Sequence, residues 1–314
     1  MRVVFALHYE ANEREFGLSD GGTAYGNRLL EHVIKLRRRL EGLGMTVLTR
    51  GEFPPERADV VVFGDLDPAL WALARALPEK VPCVLICTES PVYTPLSHQP
   101  EFLFHRRWSY VLTWNRSYDG PRIVHYDIAV AGATREDRER LLVPTPRKAK
   151  GVVVTTRKSR QRGLVPLYNR LCVQLAREGL VDIYGAGWPV APAQGLYGPT
   201  NDKVATLREY EYSLLSENSL HAGYVTEKLP DSIIAGTPAI YRGDVTGAER
   251  RYPGTFVPLE DLTREAFDAA LHQLRVGRLG LVENIQKSIR GSADWDESFV
   301  GMLAGVLQRV GRET

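Results

Sequence analysis

The sequence has little of what marks several protein classes. It holds three cysteines, Cys83, Cys87 and Cys172, an odd number that is too small for a disulfide framework. It has no apolar stretch long enough to span a membrane, and no internal repeat or low-complexity tract. Its formal net charge is only +2, so nothing in the overall charge demands nucleic acid or a membrane as a partner.

What is present predicts a globular α/β protein. A chain of 314 residues with 44% hydrophobic content exceeds one typical core and predicts two domains. Apolar strands alternate with amphipathic helices, which predicts two doubly wound Rossmann-like sheets. The proline-containing basic stretch 143–150 is typical of a linker. We therefore divide the chain into domains at 1–146 and 147–290, with a C-terminal helix at 291–314 that could pack back on the first domain.

The hydrophobic patterns also predict where the elements lie. Strands are predicted at 2–8, 45–48, 59–64, 81–87, 110–114, 151–155, 181–185, 212–216, 237–242 and 255–259. Helices are predicted at about 23–40, 67–77, 164–177, 224–235, 263–274 and 295–310. The cysteines fall in apolar surroundings and are expected to be core residues rather than metal ligands.

Polar residues gather in the stretch 210–243, where a predicted strand meets the next predicted helix. Glu217 and Asn218 follow the strand, and Glu227 and Lys228 fall in the first turn or two of the helix. In an open α/β sheet, ligands bind at this kind of junction. A carboxylate there can accept from a ribose diol, whereas a lysine and a helix N-terminus suit a pyrophosphate. The alternative is a helix-terminal charge pair beside a polar turn.

The string SENSLHAGYVTEKL, followed by AGTPAIYRG, resembles the donor-binding signature of the family-10 α1,3/4-fucosyltransferases. The resemblance implies a GT-B architecture, in which two Rossmann-like domains face each other across a cleft. It also implies inverting transfer of L-fucose from GDP-β-L-fucose to a glycan hydroxyl. Ser216 and Arg242 depart from the family pattern. They leave open a related GT-B enzyme that uses another nucleotide sugar or a non-glycan acceptor.

The same resemblance implies which residues bind the donor. Lys228 and an arginine of the basic segment 157–162 would stabilise the diphosphate, and basic side chains at a strand-to-helix turn suit that role. Glu227 would hold the hydroxyls of the donor. The full set of expected donor-binding residues is Lys228, Glu227, Tyr224, Asn218, Glu217, Arg162, Arg160, Lys203 and Tyr241.

Glu89 is the candidate catalytic residue. It lies in the segment Thr88-Glu89-Ser90-Pro91, directly after a predicted apolar strand, where catalytic groups collect in α/β folds. Partial desolvation there would raise the pKa of its carboxyl group toward that of a usable base. The alternative is a capping or turn residue before Pro91. This segment is similar to the acceptor-domain pattern of the same family, which implies that Glu89 is the general base.

Asp65 and Asp67 have the D-x-D spacing that binds a divalent ion in many other glycosyltransferases. They stand before Pro68 at the end of a predicted strand, where an aspartate also serves as a helix cap, and capping is the favoured interpretation. The family does not depend on such a motif for donor binding. No metal site is therefore assigned, and a divalent ion is not expected to be essential.

The N-terminal residues MRVVFALHYE lack the long apolar core and cleavage site of a signal peptide. Together with the absence of a predicted span, this leads us to expect a bacterial-type cytoplasmic enzyme, with peripheral contact to the inner membrane left open. The expected partners are a nucleotide sugar and a glycan, without nucleic acid. An alternative from another class is a non-catalytic nucleotide- or nucleic-acid-binding protein that uses the basic segment 147–162.

Overall fold

The apolar runs in the first third of the chain form a parallel sheet. A computed structural model of the chain describes residues 1–8, 31–128, 132–141, 146–157, 162–291 and 297–313. Within these ranges the first sheet contains β1 (Arg2–Leu7), β2 (Thr46–Thr49), β3 (Val60–Gly64), β4 (Cys83–Cys87), β5 (Trp108–Thr113) and β6 (Ile123–His125). Its order is β2-β1-β3-β4-β5-β6, and every neighbouring pair runs parallel. Strand β4 is buried at each residue, as expected for a strand inside a parallel sheet.

Helices connect these strands. They are α1 (Glu31–Gly42), α2 (Pro68–Ala76) and α3 (Pro100–Leu103). Helix α2 begins where the Asp67 carboxylate accepts a hydrogen bond from the backbone N–H of Leu70 at 2.7 Å, with Pro68 at the first helical position. Leu70 and Ala74 then pack into the hydrophobic core of this sheet.

The second sheet has the same winding. It contains β7 (Lys148–Val154), β8 (Val181–Tyr184), β9 (Tyr210–Ser216), β10 (Ala239–Arg242) and β11 (Phe256–Pro258), in the parallel order β11-β10-β9-β7-β8. Its helices are α4 (Arg135–Leu141), α5 (Val165–Arg177), α6 (Lys203–Arg208), α7 (Lys228–Ile234), α8 (Val245–Arg251) and α9 (Arg264–Arg290). The strand order reverses between β7 and β9, and in such sheets the crevice outside the carboxyl ends of the two strands binds ligands.

The chain divides into two compact units, Met1–Ala131 with Asp296–Thr314, and Gly132–Trp295. The last helix, α10 (Glu297–Glu313), belongs to the first unit. Phe299 of α10 packs on Tyr126, with ring centroids 5.0 Å apart, and Arg309 lies over the ring of Tyr110. The second unit begins before the stretch that the sequence indicates as a linker.

Most predicted strands and helices are found at or near their expected positions, and the two parallel sheets confirm the α/β fold class. All three cysteines are free and buried, as predicted. Residues 9–30, which include most of the first predicted loop and the start of the first predicted helix, lie outside the described ranges. No helix in the described ranges is long and apolar enough to cross a membrane.

Three predictions were wrong in extent. Lys148, Ala149 and Lys150 are the start of β7 rather than linker, since the strand begins where Lys148 pairs with Tyr210 of β9 and resumes its pairing at Gly151. Helix α7 covers only 228–234 of the predicted 224–235. Helix α9 continues far beyond the predicted end at residue 274, because its buried face resumes at Leu281, Ile285 and Ile289.

Candidate functional site

Glu217 is the buried centre of the polar cluster after β9. Strand β9 is apolar and almost wholly buried, and its next residue, Glu217, keeps only 1% of its area exposed. Its carboxylate accepts hydrogen bonds from the backbone N–H of Thr226 at 2.9 Å and from the Thr226 hydroxyl at 2.8 Å. The Tyr241 hydroxyl donates to it at 3.2 Å, and the Lys228 ammonium at 3.0 Å. Glu217 therefore joins the loop after β9 to α7 and β10.

Lys228 is the first residue of α7 and the link from Glu217 to a wider group of charges. Its Nζ also lies 2.8 Å from the Thr226 hydroxyl and 3.8 Å from Glu227 Oε1. Lys203, at the start of α6, lies 2.7 Å from Asp231 and 3.8 Å from the same Glu227 oxygen. We call Lys203, Glu217, Glu227, Lys228 and Asp231 the lysine–carboxylate network.

Within the network, Glu227 is the carboxylate that faces solvent most. Its side chain keeps 39% of its area exposed, against 0% for Glu217 and 14% for Asp231. Burial alone would raise the pKa of Glu227, but Lys228 and Lys203 outweigh it and lower the pKa to about 2. Glu227 is therefore an ionised acceptor at neutral pH, suited to the hydroxyl groups of a ligand.

Lys203 remains protonated in this setting. Burial alone would lower the pKa of Lys203, but Asp231 and Glu227 raise it above its ordinary value. Two ammonium groups accompany three carboxylates, so the network has no excess of positive charge. A ligand with a diphosphate would need further cations from outside this group.

The other predicted donor-binding residues are placed differently. Tyr224 and Tyr241 are buried, with 2% and 0% of their areas exposed, and the Tyr241 hydroxyl is directed at Glu217. The Asn218 carbonyl accepts from the backbone N–H of Leu164 at 3.1 Å, which ties the loop after β9 to the start of α5. Arg162 is exposed just before that helix. Arg160 lies outside the described residues.

The start of α7 corrects part of the sequence interpretation. Glu227 precedes the helix instead of lying in its first turn, and α7 has only seven residues. The Thr226 N–H just before it already donates to Glu217. The N-terminus of α7 is therefore not an open anion site. At the start of the longer helix α5, the N–H groups of Leu164 and Val165 donate to carbonyls and Pro166 has none, so Arg162 is the group there that suits a phosphate.

In the first unit, Glu89 lies in a turn that follows β4, which we define as the Glu89 turn, residues 88–94. The turn is closed by backbone hydrogen bonds from Tyr93 and Thr94 to the Ser90 carbonyl. Glu89 itself is half-buried, whereas the neighbouring Ser90 and Thr94 are fully buried. The side chain of Glu89 is thus carried at the carboxyl edge of the first sheet on a well-packed turn.

Asp65 is the group that fastens the Glu89 turn to β3. Its carboxylate, 2% exposed, accepts from the backbone N–H of Thr88 at 3.0 Å and from that of Glu89 at 3.2 and 3.3 Å. The Thr88 and Thr94 hydroxyls donate to it as well. Burial, supported by the charge of Glu89, raises the pKa of Asp65 to about 6 even though these donors oppose the shift.

His98 supports the turn at the Glu89 carbonyl, and its neighbour Ser97 supports the residue after Asp65. His98 Nε2 lies 2.9 Å from the Glu89 carbonyl, and the His98 carbonyl accepts from the Tyr118 hydroxyl at 2.6 Å. The Ser97 hydroxyl accepts from the backbone N–H of Leu66 at 2.7 Å. The backbone around Glu89 is therefore held from both directions.

The two aspartates of the D-x-D pair have separate partners in the structure. Asp67 caps α2, as predicted, and its other oxygen lies 3.1 Å from His8 Nδ1. Asp65 points into the Glu89 turn instead. Among the described residues, no group of three or more histidine, cysteine, aspartate or glutamate side chains could hold an ion.

Sequence reasoning missed three residues of these clusters. Asp231 could have been predicted from the sequence, because it follows Glu227 and Lys228 at the i+4 and i+3 spacings of a helix face. Thr226 and Asp65 carry no such signal, since their roles arise from contacts across the loop after β9 and between β3 and β4.

Comparisons with known proteins agree with the signature. No family model matches the sequence. The mouse α-(1,3)-fucosyltransferase 4 is 28% identical over 223 residues, which is 67% of this chain and 48% of that protein. A crystal structure of an α1,3-fucosyltransferase matches the fold with a TM-score of 0.61 at 15% identity, covering 99% of this chain and 90% of that one. A second, determined with GDP-fucose, matches with a TM-score of 0.56 at 16% identity, covering 90% and 80%.

The chain is similar in sequence to the α-(1,3)-fucosyltransferases. It spans about half the length of the mouse relative. The family resemblance carried by the signature is thereby confirmed. The two parallel sheets, together with the solved structures, identify a two-domain Rossmann-like GT-B fold.

Proposed function

We propose that the protein is an inverting glycosyltransferase that moves L-fucose from GDP-β-L-fucose to a hydroxyl of a glycan acceptor, in an α1,3/4-type linkage. The observation that carries the proposal is the sequence relation to the α-(1,3)-fucosyltransferases. The structure with GDP-fucose among its fold relatives supports the choice of donor. The signature residues also fold into one connected network at the carboxyl edge of β9.

The donor would bind beside the lysine–carboxylate network. Glu227, ionised and partly exposed, accepts from the hydroxyl groups of GDP-fucose. Lys228 approaches the diphosphate with the 22% of its side chain that remains exposed, while Glu217 fixes its Nζ. Because the network has no positive excess, Arg162 or Arg160 supplies the remaining neutralisation. The buried residues Tyr224, Tyr241 and Glu217 would support the exposed residues of the network without contacting the donor.

Ser216 and Arg242, which depart from the family pattern, are both engaged locally. The Ser216 hydroxyl donates to the Glu217 carbonyl at 3.0 Å. The Arg242 guanidinium donates to the carbonyls of Leu259 and Glu260 at the end of β11. These contacts give both residues structural roles, which favours the fucose donor over a different nucleotide sugar.

The chemical step would be a single displacement. Glu89 accepts the proton of the acceptor hydroxyl as that oxygen bonds to C1 of fucose. The bond from C1 to the diphosphate oxygen breaks in the same step, the electron pair leaves with GDP, and β becomes α. Basic side chains stabilise the leaving diphosphate, so a divalent ion is dispensable in this proposal. Donor binding that EDTA abolishes and Mn²⁺ restores would contradict that part.

Calorimetry with four ligands tests the donor assignment. GDP and GDP-fucose should bind, and GDP-mannose and UDP-sugars should bind more weakly.

Arg162→Ala should weaken GDP binding by about tenfold or more, as expected for a charge-assisted contact. Arg170→Ala, at an exposed position on α5, is the matched control and should bind GDP like the native chain. Equal binding of GDP- and UDP-sugars would contradict the proposal. Steeply salt-dependent binding to nucleic acid instead would favour the non-catalytic alternative.

A further inference from the structure

Asp65 is the one non-glycine residue with a positive φ, 59°, in the part of the chain that the structure describes. An aspartate tolerates this left-handed conformation better than most side chains, yet it still costs energy that the surrounding structure must offset. The backbone N–H of Asp65 donates to the Ile86 carbonyl at 2.8 Å, so the bend occurs where β3 separates from β4. The bend directs the carboxylate back beneath the residues that follow β4.

The donors to Asp65 come from the Glu89 turn. The backbone N–H groups of Thr88 and Glu89 and the hydroxyls of Thr88 and Thr94 all reach its two oxygens. These donors flank Glu89 in the sequence, so their positions set the backbone from which the Glu89 side chain extends. A buried carboxylate with this many donors fixes the direction of each one.

We propose that Asp65 is a positioning residue that holds the Glu89 turn in the geometry needed for proton removal from the acceptor. The proposal rests on the proposed function for the role of Glu89, and it goes further by assigning to Asp65 a part in catalysis without contact to substrate. It also gives the first aspartate of the D-x-D pair a function that is neither metal binding nor helix capping.

The charges around Asp65 bear on how this support responds to pH. Glu89 faces it from the turn, and Cys87 adjoins it from β4, where Asp65 contributes to the raised pKa of the thiol. His98 approaches the same turn through the Glu89 carbonyl, and Asp67 with His8 lies two residues along the chain. When Asp65 takes up a proton, one of its oxygens ceases to be a good acceptor, and an amide or hydroxyl of the turn loses its partner.

Asp65→Asn is the variant that isolates this role. Asparagine has almost the same volume and tolerates positive φ at least as well, but one of its oxygens becomes an NH₂ group that opposes the donors of the turn. Displacement of a catalytic group by about 1 Å can cost about 100-fold in rate. We therefore expect kcat to fall by about 10- to 100-fold, with the KM for GDP-fucose within about twofold of the native value.

The matched control is Asp67→Asn, which removes a carboxylate from the same D-x-D pair and leaves the Glu89 turn bonded. It should retain kcat within about twofold, because asparagine caps a helix about as well as aspartate and the donors of the Glu89 turn keep their partner. Thr88→Val, which removes one hydroxyl donor to Asp65, should show a smaller decrease in kcat than Asp65→Asn. It also serves as the test variant if Asp65→Asn does not fold.

Two measurements separate positioning from a general structural defect. In the Glu89→Gln background, Asp65→Asn should reduce kcat by less than about twofold further, because it acts through Glu89. Amide hydrogen exchange should show faster exchange at residues 88 and 89 in Asp65→Asn than in Asp67→Asn. Losses that multiply in the double variant, or unchanged exchange together with native kcat in Asp65→Asn, would overturn the proposal.

The exchange measurement also keeps the two proposals distinct. If the native chain transfers no fucose to any acceptor, the proposed function fails, and exchange at residues 88 and 89 still decides whether Asp65 holds the turn. If fucose is transferred and Asp65→Asn behaves like Asp67→Asn in both rate and exchange, the proposed function stands and the role of Asp65 is rejected.

Discussion

Two carboxylates are almost fully buried at the carboxyl edges of the two sheets, and they are stabilised in different ways. Asp65 in the first unit is 2% exposed, and the hydrogen bonds described for it come from neutral amides and hydroxyls. Glu217 in the second unit is 1% exposed and has the Lys228 ammonium at 3.0 Å in addition to its neutral donors. Burial raises the pKa of Asp65 to about 6. One carboxylate therefore depends on hydrogen-bond geometry alone, and the other on a counter-ion.

This difference matches the tasks proposed for the two units. A carboxylate held by neutral donors fixes the backbone of the Glu89 turn, where geometry governs a proton transfer. A carboxylate paired with lysine fixes a cation beside a nucleotide site, where charge governs affinity. The first unit should therefore control rate, and the second should control donor binding.

The largest expected effect comes from Glu89→Gln, which sharpens that division. The amide keeps the size of the side chain but cannot take a proton, so kcat should fall by about 10²–10⁴-fold. GDP affinity should stay native, because the donor signature belongs to the second unit. Single-turnover kinetics and calorimetry measure the two quantities. A variant that retains more than about a tenth of native kcat, with chemistry rate-limiting, rejects Glu89 as the base.

Lys228→Ala tests whether the counter-ion of Glu217 is structural as well as functional. Loss of the ammonium leaves Glu217 buried without its ion pair, so the free energy of unfolding should fall by about 3 kcal/mol or more. The double variant Glu217→Gln/Lys228→Met removes both charges and should recover most of that loss. Both variants should bind GDP more weakly, as measured by calorimetry on folded protein.

Lys150→Ala is the matched control for Lys228→Ala. Lys150 lies 2.6 Å from Asp182, another buried carboxylate of the second unit. It should reduce stability in the same direction while leaving GDP affinity native. If Lys150→Ala and Lys228→Ala weaken GDP binding equally, Lys228 contributes to affinity only through the fold.

The pH dependence of stability tests the burial of Asp65, and Glu227 serves as a contrast because its pKa shifts in the opposite direction. The pKa of Asp65 rises from 3.8 to about 6 on folding, so its contribution is fully present below about pH 4 and is lost as the pH rises through 6. The difference in unfolding free energy between the native chain and Asp65→Asn should therefore change across pH 4–6, by a few kcal/mol at most. Glu227, with its pKa lowered to about 2, should contribute stability that is lost only as the pH falls below about 4 toward 2.

Denaturant titrations from pH 4 to pH 7 measure this difference, with Asp67→Asn as the control. A native-minus-variant difference that is flat over the whole range would show that Asp65 has the same proton affinity in the folded and unfolded chains. The account of Asp65 as a carboxylate whose pKa rises on burial would then fail.

Tyr241→Phe should have the smallest effect. It removes one hydrogen bond from a neutral hydroxyl to the Glu217 carboxylate and should cost about 1.5–3 kcal/mol of unfolding free energy. GDP affinity should be unchanged within about twofold, because the ring is fully buried. A loss of GDP affinity as large as that of Glu217→Gln/Lys228→Met would restore Tyr241 to direct donor contact, as the family signature alone implies.

The fold was largely predictable because its strands are buried apolar runs. The predicted strand at 81–87 contains β4, and the predicted strand at 212–216 falls within β9. Both strands are buried on both faces, and their composition reflects this. The first residues of β7 were misassigned because Lys148 and Ala149 are exposed, and the strand starts there only because the backbone of Lys148 pairs with β9. Pairing of this kind cannot be predicted from the side-chain composition of a segment.

The sequence predicted which residues belong to the site better than it predicted how they are arranged. The signature located Glu217, Glu227 and Lys228, but helical spacing at Val225 suggested a helix that begins too early. The Thr226 N–H is held by Glu217, so that residue stays outside α7. Contacts of this kind, and those of Asp65 with the Glu89 turn, join residues distant in sequence. Periodicity and local motifs cannot reveal them.

The most direct test of the account is fucosyl transfer itself. The native chain and Glu89→Gln are incubated with GDP-β-L-fucose and a panel of glycan acceptors, with GDP release measured and the product's anomeric configuration read by NMR. We expect the native chain to release one GDP for each α-linked fucose formed, and Glu89→Gln to be slower by about 10²-fold or more. GDP release no faster than in Glu89→Gln across the whole panel, or a product that keeps the β configuration, would contradict it.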